Sequence, residues 1–376
     1  LEECGTTRRK LEAFHDKLAS LTFFDPACGC GNFLVITYQA LRQIELEVLR
    51  RLHPNRRQLT VFDPGLRRVS MQQFYGIEVE EFPAQIAETA MYLVDHLENE
   101  ELSREFLANI VDLPLEESAN IRCANALQFD WNDLLPAVEC TYIFGNPPFI
   151  GKKEQSAEQK ADMKAVFGPK APGVLDYVTA WYRKACDYLP GNTDAAIAFV
   201  STNSITNGQQ PPKLWTNLGR DDMRIRFAHR TFNWSSESSG KAHVHCVILG
   251  LDNEEDGPRY LFDYIDVGSE PVKRQVRTIN PYLIERPHEL VRTRTAGPLD
   301  PSVPGAREGS KFGDFGNLIL ERGKDDDFDD ISDHPVLSEY FQPTAGPSEL
   351  LQDKHRWALW LRHAPPTVLN NALVKA

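Results

Sequence analysis

The stretch "LTFFDPACGCGNFL", residues 21–34, decides the fold. A short apolar run, Leu21 to Phe24, ends on the acid Asp25, passes a proline and glycines at 29 and 31, and gives way at Asn32 to an amphipathic pattern reaching Leu52. A short apolar run bounded by turn residues reads as a strand, and apolar residues recurring every three to four positions read as a helix. The unit is therefore strand, glycine turn, helix.

Working outward, the same alternation repeats. "FYGIEV" (74–79) reads as a strand, "FPAQIAETAMYLVDHLENEEL" (82–102) as a helix, "IRCANAL" (121–127) and "TYIFGN" (141–146) as strands, and "VLDYVTAWYRKACDYL" (174–189) as a helix. "AIAFVSTNSI", "IRFAHRTFNW" and "HVHCVILGL" follow as strands up to residue 251. Strands alternating with helices of this length predict an α/β fold: a mainly parallel sheet with helices on both faces, and an antiparallel edge hairpin from the last two strands. Residues 1–20 read as a helical preamble, 21–290 as the main domain, and 291–340, rich in Pro, Gly and charge, as a linker. Residues 341–376 carry aromatics but too few elements for a separate core.

In an open α/β sheet the loop after the first strand crosses the carboxyl edge, where glycine lets a ligand approach the backbone. Gly29 and Gly31 supply that turn, and Asp25 can hold a cationic or hydrogen-bond-donating group. A glycine pair after a strand is also a common tight turn into a helix. The spacing is not a full GxGxxG and no GK[ST] follows, which disfavours a dinucleotide or triphosphate site. Glu78, at the end of the second strand, is the expected type of partner for ribose hydroxyls, although it can equally serve the start of the next helix. It lies farther from the glycines than in a compact βαβ unit because of a turn-rich insertion at 50–68. Asn125 and Ala126, at the third strand end, suit an adenine contact.

The fourth strand ends in Asn146-Pro147-Pro148-Phe149. Two prolines cannot donate to a ladder, so the chain leaves the sheet there. Asn146 offers a carbonyl acceptor, Pro147 an acceptor-only backbone, and Phe149 a flat ring. Two acceptors aimed at an exocyclic amino group, with a ring stacked on its base, suit alkylation of an aromatic amine.

Composition sets limits. A net charge of -13 argues against a wholly basic nucleic-acid coat but leaves room for a local groove, because "GKKEQSAEQKADMKAVFGPK" (151–170) leans basic while "RGKDDDFDDISD" (322–333) holds much of the acid. Seven scattered cysteines suit reduced thiols. Cys28-Gly29-Cys30 and His243-Val244-His245-Cys246 lack the spacing that completes a zinc site, and no metal is expected. Without a secretory pattern or a long apolar run, the cytoplasm is the default compartment.

Together these residues resemble the amino-methyltransferase branch of the class I, Rossmann-like S-adenosylmethionine-dependent enzymes. "DPACGCGNF" resembles its cofactor loop, Glu78 its second, acidic motif, and "NPPF" its catalytic motif. The order is that of the gamma group of N6-adenine DNA methyltransferases. "FYGIEVEEFPAQIAE", "GNPPFIGKKEQSAEQKADM", "LDYVTAWY", "FVSTNSITNG" and "GKAHVHCVILG" are similar to the methyltransferase part of MmeI-like (type IIL) single-chain restriction-modification enzymes, and "RWALWLRHAPP" extends the similarity.

The resemblance implies that S-adenosyl-L-methionine is the cofactor and double-stranded DNA the partner. It implies that Asp25, Pro26, Ala27, Cys28, Gly29, Gly31 and Phe33 surround the methionine end, Glu78 the ribose, and Val79, Asn125 and Ala126 the adenine. Asn146, Pro147, Pro148 and Phe149 would be catalytic. Phe149 with Trp234 or Phe232 would stack on the target base, although either of the latter rings can be core. Lys152, Lys153 and Lys160 would meet DNA phosphates. Members of this type also carry a cofactor-covering motif, a nuclease domain and a full target-recognition domain. These are expected outside this chain, which reads as a fragment with only the start of target recognition in 341–376.

Other readings stay open on the residues alone. The same tetrapeptide suits methylation of a protein glutamine amide or of a guanine amino group in RNA. A DNA-binding or cofactor-sensing subunit without catalysis would keep its function on loss of Asn146, and none of the expected catalytic positions is replaced.

Overall fold

A computed structural model of the chain describes residues 7–54, 66–106, 119–189, 194–234, 244–265, 269–291, 302, 318–344, 346–352 and 355–375. The chain divides into two units, Leu1–Thr293 and Arg294–Ala376.

The first unit opens with α1 (Arg8–Ser20), β1 (Phe23–Asp25), α2 (Asn32–Leu52), β2 (Phe74–Glu78), α3 (Glu81–Phe106), β3 (Asn120–Cys123) and β4 (Tyr142–Gly145). It continues with α4 (Ala157–Phe167), α5 (Thr179–Tyr188), β5 (Ala196–Thr202), α6 (Gln210–Thr216), β6 (Arg224–Trp234), β7 (Val244–Asp252), β8 (Arg259–Asp263) and β9 (Val272–Val276). Among the described residues these strands form one sheet in the order β3-β2-β1-β4-β5-β7-β6-β8-β9. The first five run parallel, and β7 is antiparallel to both β5 and β6. The expected hairpin is present, but β7 inserts between its neighbours, and β8 and β9 continue the sheet beyond it.

Side chains alternate across β1, and its two rings divide the core: Phe23 packs with Leu34, Tyr38 and Met91 on the α1–α3 face, whereas Phe24 packs with Trp131, Tyr182 and Phe199 on the other. On the first face the buried Arg42 donates to Tyr38 Oη and Asn99 Oδ1, each at 2.9 Å, and pairs with Glu45 Oε2 at 3.3 Å. Those partners compensate a guanidinium that would otherwise be costly to bury. Chain order reverses between β1 and β4, and the crevice outside their carboxyl ends is where this architecture binds ligands.

In the second unit, β10 (Ile319–Glu321), β11 (Phe341–Thr344) and β12 (Arg356–Leu359) form a sheet in the order β10-β12-β11, with α7 (Phe328–Ser332) close by in sequence. The helices α8 (Pro347–Gln352), α9 (Pro366–Leu369) and α10 (Ala372–Lys375) complete it. Its core joins Leu320, Phe328, Ile331 and Leu337 to Phe341, Leu359 and Val368. Residues 291–340, read from sequence as a linker, therefore contribute a strand and a helix from residue 318 on. Apolar anchors spaced through "KDDDFDDISD" are masked by the acidic residues between them. Among the described residues no helix is long and apolar enough to cross a membrane.

Candidate functional site

The carboxyl ends of β1 to β4 open onto one cavity of about 830 Å³, within the roughly 300–1,000 Å³ range of small-molecule sites. Its wall takes Pro26, Ala27 and Gly29 from the loop after β1, and Glu78 and Val79 from the end of β2. Asn125 and Ala126 come from the loop after β3, and Asn146 and Pro148 from the loop after β4. A larger cavity of about 990 Å³ lies along β4, the first half of β5 and the neighbouring part of β7, against Tyr142, Phe144, Ala196 and Asp252. It gathers neither the glycine loop nor Asn146, so the smaller one is the candidate site.

The glycine loop is built from the backbone. Cys28 N–H donates to Ile77 O at 3.0 Å and Gly31 N–H to Cys28 O at 2.8 Å, tying the turn to β2 and closing it ahead of α2. Gly31 adopts φ 83°, and a β-carbon there would lie 3.0 Å from that of Ala87 on α3. Both backbone and space demand glycine. Glu78 accepts from Gly29 N–H through Oε2 at 3.0 Å and from Glu80 N–H through Oε1 at 2.9 Å, which holds its carboxylate at the loop. The Cys28 thiol is buried, and desolvation with the nearby Asp25 and Glu78 charges pushes its pKa far up, so it is no nucleophile.

Asp25 is fully buried. Its Oδ1 accepts from Ala27 N–H at 2.9 Å, while Oδ2 has no partner among the described residues. Desolvation pushes its pKa up to about 7 from an ordinary 3.8, against the lowering effect of the Ala27 hydrogen bond and with a further rise from Glu78. A buried carboxyl with a bare oxygen is a place for a cation or a strong donor.

Asn146 Oδ1 is likewise buried without a partner. The loop carrying it is braced from behind: Tyr177 N–H donates to Ile150 O at 2.9 Å and Gln155 Nε2 to Leu175 O at 3.1 Å, while the buried Trp181 Nε1 donates to Pro26 O of the neighbouring glycine loop at 3.0 Å. Trp181 thus joins α5 to the glycine loop. An unpartnered acceptor beside the cavity lacks a donor, and a small shift of the loop would expose it to an amino hydrogen.

Not every expected residue reaches the cavity. Asp25, Cys28, Gly31, Phe33, Pro147 and Phe149 are absent from its wall; Phe33 lies by Phe144, with ring centroids 6.4 Å apart, and Phe149 is half-buried. Lys152, Lys153 and Lys160 are exposed. Phe232 pairs with Cys246, which pairs with Thr202, so it stands level with the carboxyl end of β5, its ring 5.2 Å from that of Tyr264. The Trp234 side chain lies outside the described residues.

Sequence reasoning missed α4 and the polar groups behind the wall. Asp162 on α4 accepts from Asn125, Gln128 and Tyr177, and all four line the cavity. The sequence held a signal for this helix: Ser156 and Gln159 form a capping box, and Gly168, φ 82°, ends it.

The DNA-methyltransferase domain of MmeI, as a family, matches residues 1–263. The chain belongs to the MmeI family. The target recognition domain of the same family matches residues 286–374, a span that takes in the described strand and helix between 318 and 340. The chain is 37% identical over 363 residues to DNA methyltransferase A of Bacillus subtilis (strain 168), covering 94% of this chain and 39% of that protein. It is 28% identical over 138 residues to a putative type II restriction enzyme and methyltransferase of Methanocaldococcus jannaschii, covering 36% of this chain and 11% of that protein. The structure of the type IIL restriction-modification enzyme MmeI in complex with DNA superimposes with a TM-score of 0.90 at 43% identity, covering this whole chain and 50% of that one. The chain thus spans half or less of the length of these relatives. As an MmeI-family methyltransferase domain, residues 1–263 imply a methyl donor.

Proposed function

We propose that this chain transfers a methyl group from S-adenosyl-L-methionine to N6 of adenine in double-stranded DNA, as the modification part of a longer restriction-modification enzyme. The observation that carries the reading is Asn146 Oδ1, a buried acceptor without a partner among the described residues, at the rim of a cavity formed by the Gly29 loop and Glu78. The orphaned Oδ2 of Asp25 supports the choice of cofactor: Asp25 is buried behind the Gly29 loop, off the cavity wall, and a shift of that loop would bring the cofactor's α-ammonium to the oxygen that lacks a donor. When bound, the cofactor supplies an electrophilic methyl on a sulfonium.

The chain's own residues do the rest. Asp25 holds the amino-acid end, Glu78 the ribose, and Val79, Asn125 and Ala126 the adenine. Asn146 Oδ1 and the Pro147 carbonyl accept the two hydrogens of the target amino group, which turns the nitrogen lone pair toward the methyl and stabilises the positive charge that develops there. The proton released afterwards passes to water. Because N6 cannot reach a sheet-edge cavity from within a duplex, the adenine is flipped out, at a cost of about a few kcal/mol that stacking on Phe149 and on Phe232 or Trp234 offsets. Lys152, Lys153 and Lys160 meet phosphates, and residues 286–374 read the target sequence.

The acceptor geometry alone serves equally for a glutamine amide or a guanine amino group; DNA is favoured by the relatives, one solved on DNA and one named a DNA methyltransferase. Product analysis decides. Unmethylated genomic DNA, total RNA and protein are offered with labelled cofactor, then digested to nucleosides and amino acids. N6-methyladenine is expected, and label in guanine or glutamine would overturn the assignment.

A further inference from the structure

We propose that Asp162 sets the purine specificity of the cofactor cavity by holding the amide of Asn125 in one orientation, an inference that rests on the cofactor reading above. Asp162 sits on α4 and is 4% exposed. Its oxygens accept from Asn125 Nδ2 at 3.2 and 3.3 Å, from Gln128 Nε2 at 2.7 Å and from Tyr177 Oη at 2.6 Å. Desolvation and the same carboxylate keep the Tyr177 hydroxyl protonated, so it stays a donor. These three donors satisfy the buried carboxylate.

The other side of the Asn125 amide is also fixed. Its Oδ1 accepts from Leu127 N–H at 2.9 Å. A carboxylate only accepts and an amide N–H only donates, so the two neighbours read the two ends of the side chain differently. Turning the amide over would set oxygen against the Asp162 carboxylate and NH2 against the Leu127 N–H, two repulsive contacts in place of two hydrogen bonds. Asn125 lines the cavity, and its Oδ1 keeps a second lone pair for an incoming donor. An amino group at the six-position of a purine donates to it, whereas an oxo group there would place two acceptors face to face. The pocket selects a 6-aminopurine over a 6-oxopurine through a residue on a different element from the one that touches the base.

The test is calorimetric binding of S-adenosylhomocysteine and of its inosyl counterpart, which differs only in carrying oxygen at the six-position, to the full chain. The wild type is expected to prefer the adenosyl ligand by roughly 10- to 100-fold, as for a site built around one hydrogen bond. In Asp162→Asn the side chain at 162 can donate or accept, and the preference is expected to fall about tenfold. The exchanged pair, Asn125→Asp with Asp162→Asn, restores a donor-to-carboxylate contact and an acceptor toward the ligand, so the preference returns. General damage to the pocket would weaken both ligands alike and would not be rescued by the exchange. An unchanged preference in Asp162→Asn, or no return in the exchanged pair, would overturn the role of Asp162. Adenosyl binding without discrimination in the wild type would overturn the Asn125 contact, and no binding of S-adenosylhomocysteine at all would overturn the cofactor site itself.

Discussion

The carboxyl group of Asp25 lies against the α-carbon of Gly145 on the neighbouring strand, so closely that a β-carbon there would overlap Oδ1 and sit 2.9 Å from Cγ. Residue 145 is the one before Asn146, so the contact fixes the acid at the end of β1 against the entry to the Asn146 loop. Gly145→Ala is expected to push the two apart. Overpacking of this kind costs typically about 1–3 kcal/mol, and the loss of cofactor affinity should exceed what that destabilisation explains. Thermal melting and cofactor titration on the same preparation check this, and a variant that melts lower yet binds normally would show that the contact is packing alone.

Asp25 should make both stability and binding depend on pH. Its folded pKa, about 7, lies above the ordinary 3.8, so between those values the folded state binds more protons than the unfolded one. Stability from this group is therefore lost as pH rises from about 4 to about 7, on the order of a few kcal/mol in all. Asp25→Asn is expected to melt above the wild type at pH 8 without cofactor, the gap closing toward pH 4. A cationic ligand favours the ionised form, so wild-type cofactor affinity should rise from pH 6 to pH 8 and the variant's should stay weak and flat.

Glu78 holds the glycine loop through Gly29 N–H while facing the cavity. Glu78→Gln keeps the size and one acceptor but loses the charge-assisted bonds, worth about 1.5–3 kcal/mol each. Cofactor affinity is expected to fall roughly 10- to 100-fold, with the maximal rate at saturating cofactor little changed. A drop confined to the maximal rate would argue for a place in the chemical step instead.

Lys152, Lys153 and Lys160 are exposed and follow the Asn146-Pro147-Pro148-Phe149 loop. If each neutralises a phosphate, each replacement by Ala lowers the slope of log binding constant against log salt by about 0.9. Fluorescence anisotropy with a labelled duplex across a salt series measures it. Equal slopes in wild type and triple variant would remove these residues from the DNA path.

Much of this was legible because the decisive signals are local. The glycine turn after Phe24, the acid ending β2 and the two prolines after β4 each report a strand end without knowledge of the partner strand, and α2 spans the predicted residues, Asn32–Leu52. What stayed hidden depends on contacts across the sheet. Gly145 reads as an ordinary glycine until Asp25 is placed beside it, and Asp162 as one more charge in a basic-leaning stretch until α4 carries it behind Asn125. Likewise β8 and β9 are five residues each, too short for their alternation to stand out, and exist because β6 offers an open edge.

The most direct measurement is transfer of labelled methyl from S-adenosyl-L-methionine to an unmethylated duplex by the wild-type chain and by Asn146→Ala, under single-turnover conditions, with cofactor binding measured in parallel. The variant is expected to bind cofactor within about twofold of wild type and to lose about 2.7 kcal/mol or more of barrier lowering, a hundredfold or greater fall in rate. Transfer at the wild-type rate by Asn146→Ala would contradict the assignment of Asn146 as the acceptor that makes the target amine reactive.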